Sequence, residues 1–414
     1  MPIATNSPDA QVAVADLNIY LADPTSQAAL AECRKVAESL ILTGALIVKD
    51  TRADQGANDT FLDLLESYFA QDQKTLEKDL RPELGYQVGV TLEDTERPSC
   101  ISTPKCINII SSLPASERPL DLTGHSADPK ARFFWRMTEE REKTGLSGMG
   151  MHEAPNVVPR AFEGVWKDKM EGWGGRMKAA VQGVAEMLSV GLGLPASTIY
   201  DASRYGSHLL APTATDLTKY GHLDRYACLS LGSILQVVMG RKLIMIIPPR
   251  DSIFAGFHSD LNFLTIHGKS RYPGLHIWAR NTGKKMPVKV PDGCLLVQAG
   301  KQLEWFSGGL VKAREADCLF MVWLGWVAGY HEVVCTEGTL KAMERFKAET
   351  PERPLWRISS TFFYHLSPDY ELHALPPLKA EAEKRFGPQD EYGSMSVANQ
   401  VKRELGLIAL VADE

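Results

Sequence analysis

Two side chains able to share one metal ion stand one residue apart in FHSDLNFLTIHGKSRYPGL, residues 257–275: His258 and Asp260. The stretch is apolar and β-prone, and in a strand residues i and i+2 project from the same face. A histidine nitrogen and a carboxylate oxygen meeting there supply two of the three ligands of a two-histidine, one-carboxylate iron(II) site, which leaves coordination positions open. An HxD triplet is equally a plain surface or hydrogen-bonded pair, so a third ligand has to be found. AGYHEVVC offers His331 within a second β-prone run. Farther on, WRISSTFF sets Arg357 and Ser359 at i and i+2, again on one strand face. A guanidinium gives a carboxylate a bidentate, charge-assisted fork, and a nearby hydroxyl adds one more hydrogen bond. The same arginine could instead pair with a structural carboxylate.

Other patterns lead elsewhere and stop short. His331-Glu332 begins like an HExxH zinc-protease helix, but Cys335 stands where the second histidine is needed and the flanks are β-prone. Gly268-Lys269-Ser270 resembles the end of a phosphate loop, yet Phe263 holds the place of the first glycine. His267 and His276 could approach the site or be ordinary strand histidines.

Around these residues the chain must build a scaffold. Residues 26–48 pattern as an amphipathic helix followed by a strand, and NDTFLDLLESYFAQDQ as a second helix with Asn58 and Asp59 as capping candidates. Residues 97–159 read as loops with short elements, and 166–193 as one long helix whose Met and Trp residues belong to the core. After Leu194 short β-prone runs recur between turn residues, among them SHLLAPT, GLHIWA, GCLLVQAG, QLEWFSGG and YHEVVC, the pattern of an antiparallel sandwich or jelly roll. Asn281–Lys284 and Pro291-Asp292-Gly293 carry hairpin-turn chemistry, and two helical patterns close the chain.

With 414 residues, 44% apolar and 23% charged, the composition is that of a soluble globular chain, and the net charge of −6 argues against a nucleic-acid or anionic-membrane surface. Seven cysteines without CxxC spacing suit a reducing cytoplasm rather than a disulfide framework. No basic-then-apolar start marks a signal peptide, and the apolar runs at 226–249 and 318–330 are interrupted or too short for a span.

HLLAPTATDL, AGFHSDLNFLTIHGKSRYPGL, PVKVPDGCLLVQAGKQLEW, AGYHEVV and WRISSTFF together resemble the iron(II)- and 2-oxoglutarate-dependent dioxygenases of the isopenicillin N synthase-like superfamily, and within it a microbial and fungal branch. The resemblance covers most of the chain. It implies an α+β fold with a double-stranded β-helix (jelly-roll) core flanked by helices. Iron would be held by His258, Asp260 and His331, and the distal carboxylate of 2-oxoglutarate by Arg357 and Ser359. The implied activity is hydroxylation, desaturation or cyclisation of a small molecule with oxygen, in a pocket with a mostly apolar lining. The expected organisation is one folding unit: a mixed region over 1–205, the catalytic core over 206–373 and a helical segment over 374–414.

The chain departs from that pattern in three places. Two apolar blocks, about 226–250 and 314–327, interrupt family-like flanks beside the strands that carry the ligands, and read either as genuine insertions or as translated introns. The second could push His331 out of reach. The tyrosine-rich strand that often helps bind 2-oxoglutarate is replaced by SHLLAPT. Two alternatives therefore stand beside the oxygenase: a same-fold iron oxidase that uses no 2-oxoglutarate, with Arg357 gripping the substrate's carboxylate, and an inactive relative whose insertions spoil the iron site.

Overall fold

In the computed structural model the described residues are 12–98, 100, 103–120, 127–138, 154–224, 250–279, 282–311, 329–388 and 392–408. Both apolar blocks fall almost entirely outside them.

The helix Gln27–Thr43 begins where the Ser26 side chain accepts from the Ala29 N–H and ends at Gly44, which takes a left-handed conformation and releases the chain directly into a strand. Its buried stripe includes Ala29, Cys33, Val36, Ala37 and Leu40, at helical spacing. The long helix Trp166–Gly191 packs beside it and buries Met170, Trp173, Met177, Val181, Val184 and Leu188 as core. The helix Gln55–Phe69 is capped by Asp54, which accepts from Ala57 N. Asn58 and Asp59 are not its caps: Asn58 is buried one turn in and donates to the Lys269 carbonyl.

Fourteen strands matter to the site. Those of the larger sheet are β1 (Val14–Asp16), β2 (Ala45–Lys49), β3 (Gly89–Thr91), β4 (Ala131–Arg136), β5 (Leu209–Leu210), β6 (Thr213–Asp216), β10 (Leu264–His267), β13 (Cys294–Ala299), β15 (Trp356–Ser359) and β16 (Thr361–Tyr364). Their order is β1-β2-β13-β10-β16-β5-β4-β6-β15, with β3 on β4. The smaller sheet runs β12 (Lys285–Pro287), β11 (Leu275–Trp278), β14 (His331–Val334) and β9 (Ile253–His258). One cavity is lined from both sheets, including Leu209, Thr213, Thr215 and Phe363 of the larger and Phe254, His258, Leu275 and Val333 of the smaller. The sheets therefore face each other across it. The main apolar core lies on the other side of the larger sheet, against the helices.

Several expectations meet a different local structure. QLEWF is a helix, Lys301–Phe306, because its Leu303 and Phe306 fall on one helical face and are buried. WRISSTFF is two strands with Ser360 as the corner: β15 pairs with β6, whereas β16 pairs with β10 and β5. Residues 97–159 contain a fully integrated sheet strand, β4, whose alternation of Arg132 and Phe134 with Ala131, Phe133 and Trp135 is a strand period. Cys100 and Cys106 form a disulfide that the spacing does not suggest, since the turn entering the helix Pro104–Ser112 brings them together. β11 and β12 pair antiparallel as a hairpin on either side of the expected Asn281–Lys284 turn, of which Asn281 lies outside the described residues, and Pro291–Gly293 turns the chain into β13.

The flanks of the first block meet. β7 (Leu223–Asp224) and β8 (Arg250–Asp251) pair antiparallel, with Leu223 opposite Asp251 and Asp224 opposite Arg250. The block thus leaves and re-enters the fold at one point, immediately before β9. Among the described residues no helix is long and apolar enough to cross a membrane.

Candidate active site

His258 is the last residue of β9 and His331 the first of β14, and the two are directly opposed in the ladder. Cross-strand partners share a sheet face, so both imidazoles point to one spot, their ring centroids 4.2 Å apart. Asp260 lies two residues past the end of β9 rather than within it, as its motif suggests, yet still turns to the same spot. The Nε2 atoms of His258 and His331 are each 3.9 Å from Asp260 Oδ1, and one ligand atom from each of the three residues lies within 4.8 Å of the others. The second block does not displace His331 from this group.

The backbone presets each histidine. His258 Nδ1 lies 2.5 Å from the Gly256 carbonyl and His331 Nδ1 3.0 Å from the Gly329 carbonyl. A carbonyl only accepts, so each Nδ1 carries a proton and each Nε2 is the ring nitrogen turned toward Asp260. Gly329 is required here: its φ is +46°, and a Cβ at that position would run into the Ala299 carbonyl. Thr265 Oγ1 donates to Asp260 Oδ2 at 2.5 Å, fixing the carboxylate with its other oxygen toward the histidines. Burial pushes the His258 imidazole down to about 4, with His331 beside it adding to the effect. For Asp260 burial acts upward but is outweighed by the two histidines and the Thr265 hydrogen bond, leaving its carboxyl below the ordinary range. One carboxylate oxygen and two imidazole nitrogens converge there, the donor set of a non-haem iron(II) centre.

Arg357 and Ser359 sit on β15 and line the same cavity. Arg357 is buried, and its Nε donates to the Tyr272 carbonyl at 3.2 Å. Its Nη groups make no hydrogen bond, and no carboxylate pairs with it, among the described residues. Burial alone lowers the guanidinium to about 10, which leaves it cationic at neutral pH. The structural-carboxylate reading of Arg357 thus has no partner among those residues. Its cross-strand neighbours are hydroxyls: Thr215 opposes Arg357 and Thr213 opposes Ser359, so four polar side chains share one face of β6 and β15. SHLLAPTATDL thus contributes threonines where a tyrosine is missing.

His267, on β10, faces the cavity between these two groups. Its Nδ1 lies 3.1 Å from Thr361 Oγ1, itself 3.2 Å from Ser359 Oγ, and its Nε2 is buried without a partner among the described residues. Burial drives its imidazole down to about 4. His276 points elsewhere, its Nδ1 against the Gly274 carbonyl.

The lining is more charged than expected. Glu96, Asp128, Lys130 and Arg132 form a buried cluster on one wall of a cavity of about 170 Å³. Lys130 Nζ lies 2.9 Å from Asp128 and 3.2 Å from Glu96, and Arg132 Nη1 pairs with Glu96. Burial acts against the Lys130 ammonium, but Asp128 and Glu96 more than compensate and raise it above the lysine range. Asp128 Oδ1 also accepts from Gly256 N at 2.9 Å, which ties this cluster to the stretch of β9 that orients His258. The sequence signal is the strand alternation of KARFFWR, hidden within a loop-rich region.

No protein-family model and no curated protein matches the sequence. Solved structures do. A protein assigned to the 2OG-Fe(II) oxygenase family from Caulobacter crescentus superposes with a TM-score of 0.62 at 17% identity, covering 95% of this chain and 98% of that one. Its fold is that of the 2-oxoglutarate- and iron(II)-dependent oxygenases. A full-length Neurospora crassa protein, solved in complex with alpha-KG and thymine, gives a TM-score of 0.63 at 15% identity over 95% of this chain and 96% of its own. JOX2, solved with 2OG, Fe and JA, gives 0.52 at 13% identity over 94% and 88%. At these identities the likeness is one of fold, and the oxygenase fold supplies the frame in which the His258, Asp260 and His331 cluster stands.

Proposed function

We propose that this chain is an iron(II)- and 2-oxoglutarate-dependent oxygenase that oxidises a small molecule by hydroxylation, desaturation or cyclisation. The observation that carries the reading is the pairing of two preset features across one cavity. One is the His258–Asp260–His331 cluster, with both Nε2 atoms turned inward. The other is a buried guanidinium, Arg357, with no carboxylate of its own among the described residues. A dicarboxylate that binds metal at one end and needs a cation at the other joins the two. The facing sheets are read as the two walls of a double-stranded β-helix, with 206–373 as the catalytic core, 1–205 and 374–414 packed on it, and the whole as one folding unit.

In this reading His258, Asp260 and His331 hold iron(II), and Arg357 with Ser359 holds the distal carboxylate of 2-oxoglutarate. When bound, the iron with its 2-oxo acid supplies oxygen activation coupled to decarboxylation to succinate. The chain's own contribution is positional. Thr265 keeps Asp260 from rotating, and the Gly256 and Gly329 carbonyls keep both imidazoles in the ligating tautomer. Thr213 and Thr215 offer further hydroxyls to the carboxylate end. Burial of His331, Thr265, Thr215 and Arg357 limits the access of water to the reacting centre.

The experiment is an anaerobic titration of the protein with iron(II) and 2-oxoglutarate, followed through the weak visible charge-transfer band of the chelate. A band that needs both components is expected, with succinate formed once oxygen and substrate are supplied. Iron binding without any 2-oxoglutarate dependence would transfer the chain to the oxidase alternative, and no iron binding by a folded protein would mark the inactive one.

A further inference from the structure

From the charged wall of the cavity we infer that the substrate is a carboxylic acid, bound through the Nε–Nη2 edge of Arg132. The inference deepens the oxygenase reading and rests on it. Arg132 is nine-tenths buried and lines the cavity. Its guanidinium is fixed twice, lying 4.0 Å over the Phe134 ring centroid and pairing through Nη1 with Glu96. The other edge, Nε and Nη2, is buried without a hydrogen-bond partner among the described residues. Two parallel N–H donors along one edge match the two oxygens of a carboxylate.

The surroundings favour an acceptor over a donor. Thr91 stands directly opposite Arg132 in the ladder, and its hydroxyl too is buried without a partner. The carboxylates of Glu96 and Asp128 are already engaged by Lys130 and Arg132. Both carboxylates thus have cations against them while the Nε–Nη2 edge of Arg132 has no anion, and an unfilled buried guanidinium edge is costly until an anion reaches it. The location also suits a substrate. Arg132 opposes Thr213, and Thr213 opposes Ser359, so these three residues form one row along the cavity. A molecule held at Arg132 is therefore distinct from one held at Arg357 yet shares the cavity with His258 and Asp260.

The test uses protein loaded anaerobically with iron(II) and 2-oxoglutarate, so that Arg357 is occupied. Matched acids and primary amides are titrated by calorimetry: benzoate against benzamide, phenylacetate against phenylacetamide, hexanoate against hexanamide. Acids are expected to bind, with the amides at least about tenfold weaker. Arg132→Gln should weaken the acids by roughly thirtyfold or more, as expected when one member of a buried charged pair is removed, and should abolish the preference. Arg132→Lys, which keeps the charge and loses the fork, guards against misfolding of the first variant and should also lose most of the preference. Amides binding as well as acids, no acid binding, or an undiminished preference in Arg132→Lys would overturn the inference. The visible iron band reports the oxygenase reading separately. If that band never forms, the acid preference and its dependence on Arg132 are still read by calorimetry on the metal-free protein.

Discussion

Thr265 Oγ1 donates to Asp260 Oδ2 at 2.5 Å, across the bend that joins β9 to β10, so the only anionic member of the histidine–carboxylate cluster is held by a strand of the opposite sheet. Removing that hydrogen bond in Thr265→Val frees the carboxylate to rotate while leaving all three ligands in place. Iron(II) affinity should fall about 10–100-fold, the usual cost of losing a group that orients a ligand. Asp260→Ala, by contrast, should abolish iron binding, because the site loses its only hard, charged donor. Both are read by anaerobic iron titration. Equal iron affinity in Thr265→Val and wild type would show that Asp260 needs no support.

Arg357 is buried with a single backbone acceptor and no carboxylate partner among the described residues. Arg357→Ala should leave iron affinity unchanged and raise the 2-oxoglutarate concentration needed for the visible band by the equivalent of about 2 to 5 kcal/mol. The same variant should gain thermal stability or remain neutral in the absence of 2-oxoglutarate, since it deletes an uncompensated buried cation. Unaltered 2-oxoglutarate dependence, with lower stability, would return Arg357 to a structural role.

His267 makes the apoprotein acid-sensitive. Burial holds its folded-state pKa near 4, below the value of about 6.5 for an exposed histidine. Above that unfolded value both states are neutral and pH has no effect through this group. Below it the unfolded chain takes up a proton that the folded chain refuses, so stability declines as pH falls from about 6.5 toward 4. For a shift of this size the loss is roughly 3 kcal/mol by pH 4. His267→Gln should therefore flatten the acid limb of the stability profile, as measured by urea unfolding of metal-free protein at pH 7 and pH 4.5. A parallel decline in both proteins would mean that other groups, not His267, set the acid sensitivity.

The cluster at the iron site is legible because its parts are local. WRIS places Arg357 and Ser359 by a strand spacing of two, and the β-prone runs around His258 and His331 are the strands whose register opposes the two histidines. What stays hidden is non-local. Arg132 belongs to a strand, with Lys130 just before it, whose cavity role depends on pairing with β3 and β6, neither of which is adjacent in sequence, and a buried arginine looks like any surface arginine until its neighbours are known. Thr265 and His267 lie inside the motif, but their use depends on Asp260 bending back over β10 rather than continuing β9. QLEWF reads as a strand because four of its five side chains suit either a strand or a helix, and burial of Leu303 and Phe306 on one side decides for the helix. The Asp54 cap is obscured for a similar reason, since Asn58 and Asp59 also have capping chemistry and only the backbone shows where the first turn starts.

Residues 225–249 depart from Asp224 and return at Arg250, and these two residues are direct antiparallel partners. That geometry is the neck of a hairpin, which a two-residue type I′ turn can close. Replacing 225–249 by Asn-Gly should therefore leave β9 and His258 in place. Closing the neck through two residues instead of 25 also shortens the loop, which favours folding by up to about 2 kcal/mol. The expected variant is folded by circular dichroism, at least as resistant to urea as the full chain, and binds iron(II) with an affinity within about threefold of it. If the block is a translated intron, the cell's own transcript will encode a chain close to this variant. If the shortened protein folds but no longer binds iron, the block is a working part of the site, and the transcript should then contain it.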